Sequence, residues 1–148
     1  METDGLAKRM DEKLAVLLQL RDLSRRQSDL IAAENMTRLL AVLSAKQTLL
    51  VELQRIQTQL KPYQHEDPAT RAWRSASDRD RCRDVTQRCA SLLSEIMLLE
   101  RRSEMELKQH RDAAARRLTS SHSSAEATRA YLGAGTSGPR RLDIYSED

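Results

Sequence analysis

Apolar side chains recur three or four residues apart near the start of the chain, which is the spacing of one face of a helix. Asp4 precedes them in a position to cap that helix. These features predict a first helix over about residues 4–33, with polar Gln27 at a place where the pattern calls for an apolar residue. The apolar positions that define it include Leu6, Met10, Leu14, Leu17 and Leu18.

A second helix is predicted over about residues 36–60, with Asn35 as its cap. Its apolar residues alternate in steps of four and three, and Lys46 and Gln57 occupy the two polar places in this seam. The seam leucines are Leu39, Leu43, Leu50, Leu53 and Leu60. The same pattern also fits one long helix that kinks near residue 35, so both interpretations stay open.

Residues 61–68 predict a loop, because two prolines interrupt helical structure there. Asp67 can cap a third helix with Pro68 at its first position. We therefore expect this helix over about residues 68–118. Its regular part is an unbroken three–four alternation at Cys82, Val85, Cys89, Leu92, Ile96 and Leu99. Beyond Leu99 the continuing seam positions are polar and the apolar stripe becomes thin.

The end of the chain has a different composition. Residues 119–124 are rich in serine, and residues 133–138 are rich in glycine, serine and threonine. Such segments bury too little apolar surface to offset the entropy of ordering them. We predict an all-α fold in which residues 1–118 form one domain of three long helices. The helices pack as an antiparallel hairpin or bundle with coiled-coil-like packing, followed by a flexible tail over residues 119–148.

Composition agrees with long helices, since the 148 residues include only 4 Gly, 3 Pro and no Phe. Charged residues make up 32% of the chain, but the net charge is only +3. Acids and bases are interleaved, as in Arg79-Asp80-Arg81, which is typical of a solvated helix face. A nucleic-acid surface needs a basic face and preferably aromatic side chains for stacking. We expect no nucleic-acid partner and keep a basic helical nucleic-acid binder as the weakest alternative.

No apolar run is long enough to cross a membrane. The acidic start, Met1-Glu2-Thr3-Asp4, lacks the pattern of a signal peptide. We therefore expect a cytoplasmic protein without membrane insertion. Cys82 and Cys89 are seven residues apart, or roughly 10 Å along a helix, which is too far for a disulfide. Because both lie in the apolar stripe, we expect buried thiols.

Residues that could carry out catalysis or hold a metal do not cluster in the sequence. His65, His110 and His122 are scattered, without the helical spacing that places two imidazoles on one metal. Neither cysteine has a histidine nearby in the sequence to activate it. The glycines follow no predicted strand that would form a phosphate loop. We expect no catalytic residue, no metal site and no cofactor, and hence a protein that is not an enzyme.

A binding surface is the remaining expectation. The thinly striped segment over residues 105–118 is poorly covered, and an amphipathic partner helix can dock in such a place. Two other interpretations stay open for this segment: it packs against the end of the bundle, or it closes a homodimer.

The order of features resembles the FlgN-type flagellar export chaperones, over roughly residues 14–145. In the first half, the resemblance lies in Leu30-Ile31-Ala32-Ala33-Glu34-Asn35-Met36, then Leu39-Leu40, Leu43, Lys46, Leu49-Leu50, Leu53 and Ile56. In the second half, it lies in Trp73, in Tyr131-Leu132-Gly133-Ala134-Gly135 and in Arg140-Arg141-Leu142-Asp143-Ile144. Lys46 stands where the family has a lysine. The chain departs from the family at Glu100 and Ser103, where members commonly carry two asparagines.

The resemblance implies a chaperone of flagellar type III export. Such a protein binds the C-terminal amphipathic helix of hook–filament junction proteins, keeps them unassembled and delivers them to the export gate. By position, the client would contact Leu99, Met105, Leu107 and Leu118, and Tyr131 would dock at the export gate. The alternatives are a structural coiled-coil homo-oligomer and a helical adaptor without a secreted client. A homodimer is compatible with each of them.

Overall fold

The computed structural model describes residues 3–135 and consists of helices. Helix α1 spans Asp4–Ala32, α2 spans Met36–Gln64 and α3 spans Ala76–Gly135, with a short 3-10 turn at Pro68–Thr70. No β-strand forms within this described range. The prediction of an all-α fold with three long helices is confirmed.

The chain divides into two compact units, Met1–Glu106 and Leu107–Asp148. The first contains α1, α2 and the part of α3 up to Glu106, and the second contains the rest of α3. This division lies earlier than the predicted domain boundary after residue 118.

A tight turn at residues 33–35 separates α1 from α2. The backbone N–H of Glu34 donates to the carbonyl of Ile31 and that of Asn35 to the carbonyl of Leu30, each at 3.0 Å. These two bonds form a Schellman motif, which needs a residue in the left-handed region, and Glu34 has a φ of 55°. Asn35 then caps α2 as predicted, since its side chain accepts from the N–H of Arg38 at 3.2 Å. Thus α1 and α2 are separate helices.

Contacts within the first unit give the directions of the helices. Between α1 and α2 the residue numbers rise on one helix while they fall on the other, as in Gly5–Tyr63, Glu12–Arg55 and Gln27–Lys46. Between α1 and α3 the numbers rise together, as in Asp11–Arg81 and Arg25–Glu95. In this unit α2 therefore runs opposite to α1, and α3 runs in the same direction as α1.

The core of the first unit is aliphatic and draws on all three helices. α1 contributes Leu6, Met10, Val16, Leu17 and Leu20, α2 contributes Ile56 and Leu60, and α3 contributes Cys82, Cys89, Leu92 and Ile96. Tyr63 and Trp73 pack against this cluster and are partly buried. Gly5 permits the close approach of Tyr63, because a Cβ at position 5 would lie 2.5 Å from the Tyr63 hydroxyl oxygen.

Helix α2 continues past Pro62 to Gln64, beyond its predicted end at residue 60. A proline in the last turn removes only one backbone hydrogen bond, and the packing of Tyr63 on the core holds this turn. Arg71 adds two bonds, from Nη2 to the Tyr63 carbonyl at 2.8 Å and from Nε to Glu66 at 2.7 Å.

The third helix begins later than predicted. Asp67 does act as a cap with Pro68 next to it, but it caps only the 3-10 turn, by accepting from the N–H of Ala69 at 3.0 Å. The chain after the turn packs against α1, since the Thr3 hydroxyl donates to the Ala72 carbonyl at 2.8 Å. The third helix, α3, starts at Ala76, where the Ser75 hydroxyl accepts from the backbone N–H of Asp78 at 3.1 Å. Thr3, not Asp4, occupies the cap position of α1.

The third helix also ends later than predicted, because α3 continues to Gly135 and includes the serine-rich residues 119–124. Alanines on both sides favour the helix, and Thr119 and His122 add local contacts. Thr119 donates to the Ala115 carbonyl at 3.0 Å, and His122 lies 3.1 Å from Glu126. Residues 115–132 are all exposed. Of the predicted flexible tail, residues 136–148 lie outside the described range.

Candidate functional site

A polar cluster joins the three helices in the interior of the first unit. Lys46 on α2 is only 8% exposed, and its Nζ donates to Gln27 Oε1 on α1 at 2.5 Å and to Glu100 Oε1 on α3. The Ser24 hydroxyl donates to the same Glu100 oxygen at 2.8 Å. The cluster thus contains one buried ammonium group paired with one carboxylate, and both are held by neutral polar groups.

The carboxylate of the cluster is held in its ionised form. Burial opposes the ionisation of Glu100, but the hydrogen bonds from Lys46 and Ser24 outweigh it and lower the pKa of the carboxyl below its ordinary value of 4.5. A carboxylate stabilised in this way is a weak proton acceptor. These contacts are typical of an ion pair that connects helices, and they do not favour a role for Glu100 as a general base.

Ser103 lies one turn beyond Glu100 on α3 and is 1% exposed. Its Oγ has no hydrogen-bond partner among the described residues. The neighbouring Glu100 is in direct contact with Lys46.

The surroundings of the two thiols of the chain make them unreactive. Cys82 and Cys89 are free and buried in the core, as predicted. Burial raises the pKa of both thiols, so that each is protonated at neutral pH. Since the thiolate is the nucleophilic form, neither cysteine has the environment of a catalytic nucleophile.

The predicted client-binding residues of the first unit do not share one side of α3. Leu99 is half-buried, whereas Met105 is 62% exposed. Six residues separate them, which places their side chains about 120° apart around the helix axis. A single partner helix centred on Met105 would therefore contact Leu99 only through side chains at the edge of that partner helix.

The predicted residues of the second unit fit a common side better. Leu107 and Leu118 are eleven residues apart, close to three helical turns, so both project from the same side of α3. Leu107 is half-buried and Leu118 is 72% exposed. Tyr131, the residue predicted to dock at the export gate, is 81% exposed near the end of α3.

A cleft of about 490 Å³ lies between α1 and the start of α3, beside Trp73. Charged side chains of both signs line it, and two ion pairs cross it: Arg74 with Asp4 at 2.5 Å and Arg81 with Asp11 at 3.4 Å. The first pair joins α1 to the segment that precedes α3, and the second joins α1 to α3. Trp73 packs against the core at this end of the unit.

Residues 3–135 contain no group of three or more His, Cys, Asp or Glu side chains placed to hold a metal ion. None of the helices in this part of the chain has the length and apolarity needed to cross a membrane.

The sequence did not predict that these polar residues form one cluster. Gln27 and Lys46 were each visible in the sequence as polar residues in the apolar stripes of the first two helices. Pairing them with each other and with Glu100 required the positions of the helices along one another, which the periodicity within one helix does not contain.

Comparisons of the chain with models of known protein families, with curated proteins and with solved structures gave no match.

Proposed function

We propose that this protein is a chaperone of flagellar type III protein export. It binds the C-terminal amphipathic helix of hook–filament junction proteins, keeps them unassembled and delivers them to the export gate. The observation that carries the proposal is the exposure of large apolar side chains along α3. Met105 is 62% exposed in the first unit, and Leu118 is 72% exposed in the second. Apolar side chains on one side of a helix, such as Leu107 and Leu118, are what an amphipathic partner helix packs against.

The flagellar part of the proposal rests on the resemblance to the FlgN-type chaperones, above all on Lys46, Trp73 and Tyr131 in that order. The environments of the titratable groups support binding as opposed to catalysis, because the thiols are buried and protonated and Glu100 is paired with Lys46. We place the protein in the cytoplasm. We take the three helices as an antiparallel bundle with coiled-coil-like packing, and residues beyond α3 as a flexible tail.

Client binding is tested by titrating the full chain with peptides of the C-terminal helices of the hook–filament junction proteins from the same cells. We expect saturable one-to-one binding by calorimetry. Replacing Leu107 and Leu118 together by Asp should weaken binding at least tenfold while helicity by circular dichroism is retained. The matched control is Leu98→Asp, since Leu98 is as exposed as Met105 but is not among the predicted contacts.

Two results would count against the client site. If no junction-protein peptide binds the wild-type chain, the chaperone function is rejected. If the Leu107 and Leu118 double variant loses its helicity, these residues belong to a packed core instead of a docking surface.

Delivery is tested separately through Tyr131. We expect Tyr131→Ala to leave peptide binding unchanged and to reduce secretion of the junction proteins and motility in cells. Leu132→Ala is the control, because Leu132 is the adjacent exposed residue. Normal motility with Tyr131→Ala would remove the export-gate role of this side chain.

A further inference from the structure

The stretch of α2 from Leu39 to Val51 has an uncharged surface. Between Leu39 and Val51 the only charged residue is Lys46, although charged residues make up 32% of the chain. Lys46 points inward and bonds to Gln27 and Glu100. The outward side of this stretch therefore presents only apolar and neutral polar groups to solvent. A helix without charge on any side is usually buried all round.

The exposed apolar side chains of this stretch follow a coiled-coil spacing. Met36, Leu40, Leu43, Gln47 and Leu50 succeed each other in steps of four, three, four and three residues, and all five are exposed. This seam is distinct from the buried one, which runs through Leu39, Val42 and Lys46. Three residues of the exposed seam each come directly after a residue of the buried seam: Leu40, Leu43 and Gln47. Because successive residues of a helix are about 100° apart around its axis, the exposed seam is turned about 100° away from the buried one. One helix therefore carries two seams, and the bundle covers only one.

Two residues of α3 extend this surface. Glu100 contacts Lys46, and Leu93 and Met97 precede Glu100 by seven and three residues, so they continue the same side of α3 along α2. We define the α2 patch as the exposed apolar residues on this side: Met36, Leu40, Leu43, Leu50 and Val51 of α2 with Leu93 and Met97 of α3. Their exposed fractions lie between 40% and 67%.

We propose that the α2 patch is the contact surface between two copies of this chain. In a twofold-symmetric contact each residue near the axis meets its own counterpart, so any charge there opposes the same charge. An uncharged seam satisfies this condition, whereas a contact with a different protein does not require it. Gln47, the one polar residue of the seam, places a neutral amide where two copies can hydrogen-bond to each other.

The patch has the size of a weak or transient contact. The stretch from Met36 to Val51 is roughly 24 Å long, and two helices side by side are roughly 20 Å wide. The footprint is therefore on the order of 500 Å² on each copy, against about 800 Å² for a standard interface. The dimer should accordingly dissociate on dilution, with a dissociation constant in the micromolar range.

Sedimentation velocity of the full chain from roughly 1 to 500 µM tests self-association. We expect a shift from monomer to dimer over this range. The double variant Leu40→Glu and Val51→Glu should stay monomeric with unchanged helicity, because both side chains are already largely exposed. The control, Leu98→Glu and Met105→Glu, changes two equally exposed residues outside the patch and should dimerise like the wild type.

A charge-pairing experiment at Gln47 tests the symmetry without disturbing the fold. Gln47→Glu and Gln47→Lys place like charges near the axis and should each weaken dimerisation about fivefold. An equimolar mixture of the two variants should associate at least as tightly as the wild type.

Three results would overturn the proposal. The first is a wild-type chain that stays monomeric up to the highest concentration, and the second is an equal loss of dimer in both double variants. The third is an equimolar mixture of Gln47→Glu and Gln47→Lys that associates no more tightly than either variant alone. None of these depends on client binding, so the client titration and this series can fail independently.

Discussion

The first unit contains two interior layers of opposite chemistry. In the apolar layer, Leu17, Ile56 and Cys89 are almost fully buried, one from each helix. In the polar layer, Gln27, Lys46 and Glu100 also come one from each helix, but they meet through hydrogen bonds and an ion pair. The apolar layer gains free energy from any close packing of its side chains, whereas the polar layer gains it only when specific atoms meet.

This difference assigns separate roles to the two layers. Apolar packing supplies most of the stability and tolerates small shifts of one helix along another. The ion pair contributes less net stability, because desolvation of Lys46 opposes its attraction to Glu100. Its contacts are satisfied in one register only, so it selects that register of α3 against α1 and α2.

The largest expected effect lies in the apolar layer. Leu17→Ala removes a side chain that is 1% exposed and should lower the free energy of unfolding by about 3 kcal/mol, through lost burial and the cavity left behind. Urea denaturation followed by circular dichroism measures this value. Leu98→Ala, at an exposed position, should change it by less than about 0.5 kcal/mol. Equal effects at the two positions would contradict the burial of Leu17.

The next largest effect lies in the polar layer. Lys46→Met leaves Glu100 without its counter-ion and should cost about 2 kcal/mol, less than for a fully buried pair because the Glu100 side chain is 40% exposed. Adding Glu100→Met should restore most of this loss or exceed the wild-type stability. If the double variant were as unstable as the sum of both single variants, the two residues would not act as a pair.

Glu34 provides a test outside both layers. Glu34→Gly should stabilise the protein by about 1 kcal/mol, since glycine adopts the positive φ of this turn without the strain of a Cβ. Glu34→Ala also removes the carboxylate but keeps the Cβ, and it should not stabilise. Thermal unfolding distinguishes the two variants, and equal melting temperatures would show that the turn is not strained.

The smallest effect is the pH dependence of the polar layer. The pKa of Glu100 is lower in the folded protein than its ordinary value of 4.5, so the folded state favours the ionised form. The resulting stability is fully present above pH 4.5 and is lost as the pH falls through the lowered folded value. The difference in unfolding free energy between the wild type and Glu100→Gln should therefore shrink below pH 4.5. A difference that is constant with pH would show that Glu100 titrates normally.

The local elements of this fold were readable from the chain, and the contacts between them were not. Periodicity predicted three helices, and Asn35 was identified as the cap of α2, because these features depend on residues within one or two turns. The start of α3 was misplaced because Asp67 and Pro68 are a valid helix start locally, but they begin only a 3-10 turn, and Ser75 caps α3 instead. The predicted client-binding residues shared a stripe in the sequence, but Leu99 and Met105 lie on different sides of α3.

The sequence by itself determined an aliphatic, all-helical protein with buried cysteines, because helical periodicity and the choice of buried residue types act over short distances. Only the tertiary structure decided that Lys46 meets Gln27 and Glu100, and that one seam of α2 is covered while the other stays exposed. Both outcomes depend on how far each helix is shifted along its neighbours and on which side the third helix packs. These quantities are set by the combined packing of all three helices, so no single stretch of the sequence contains them.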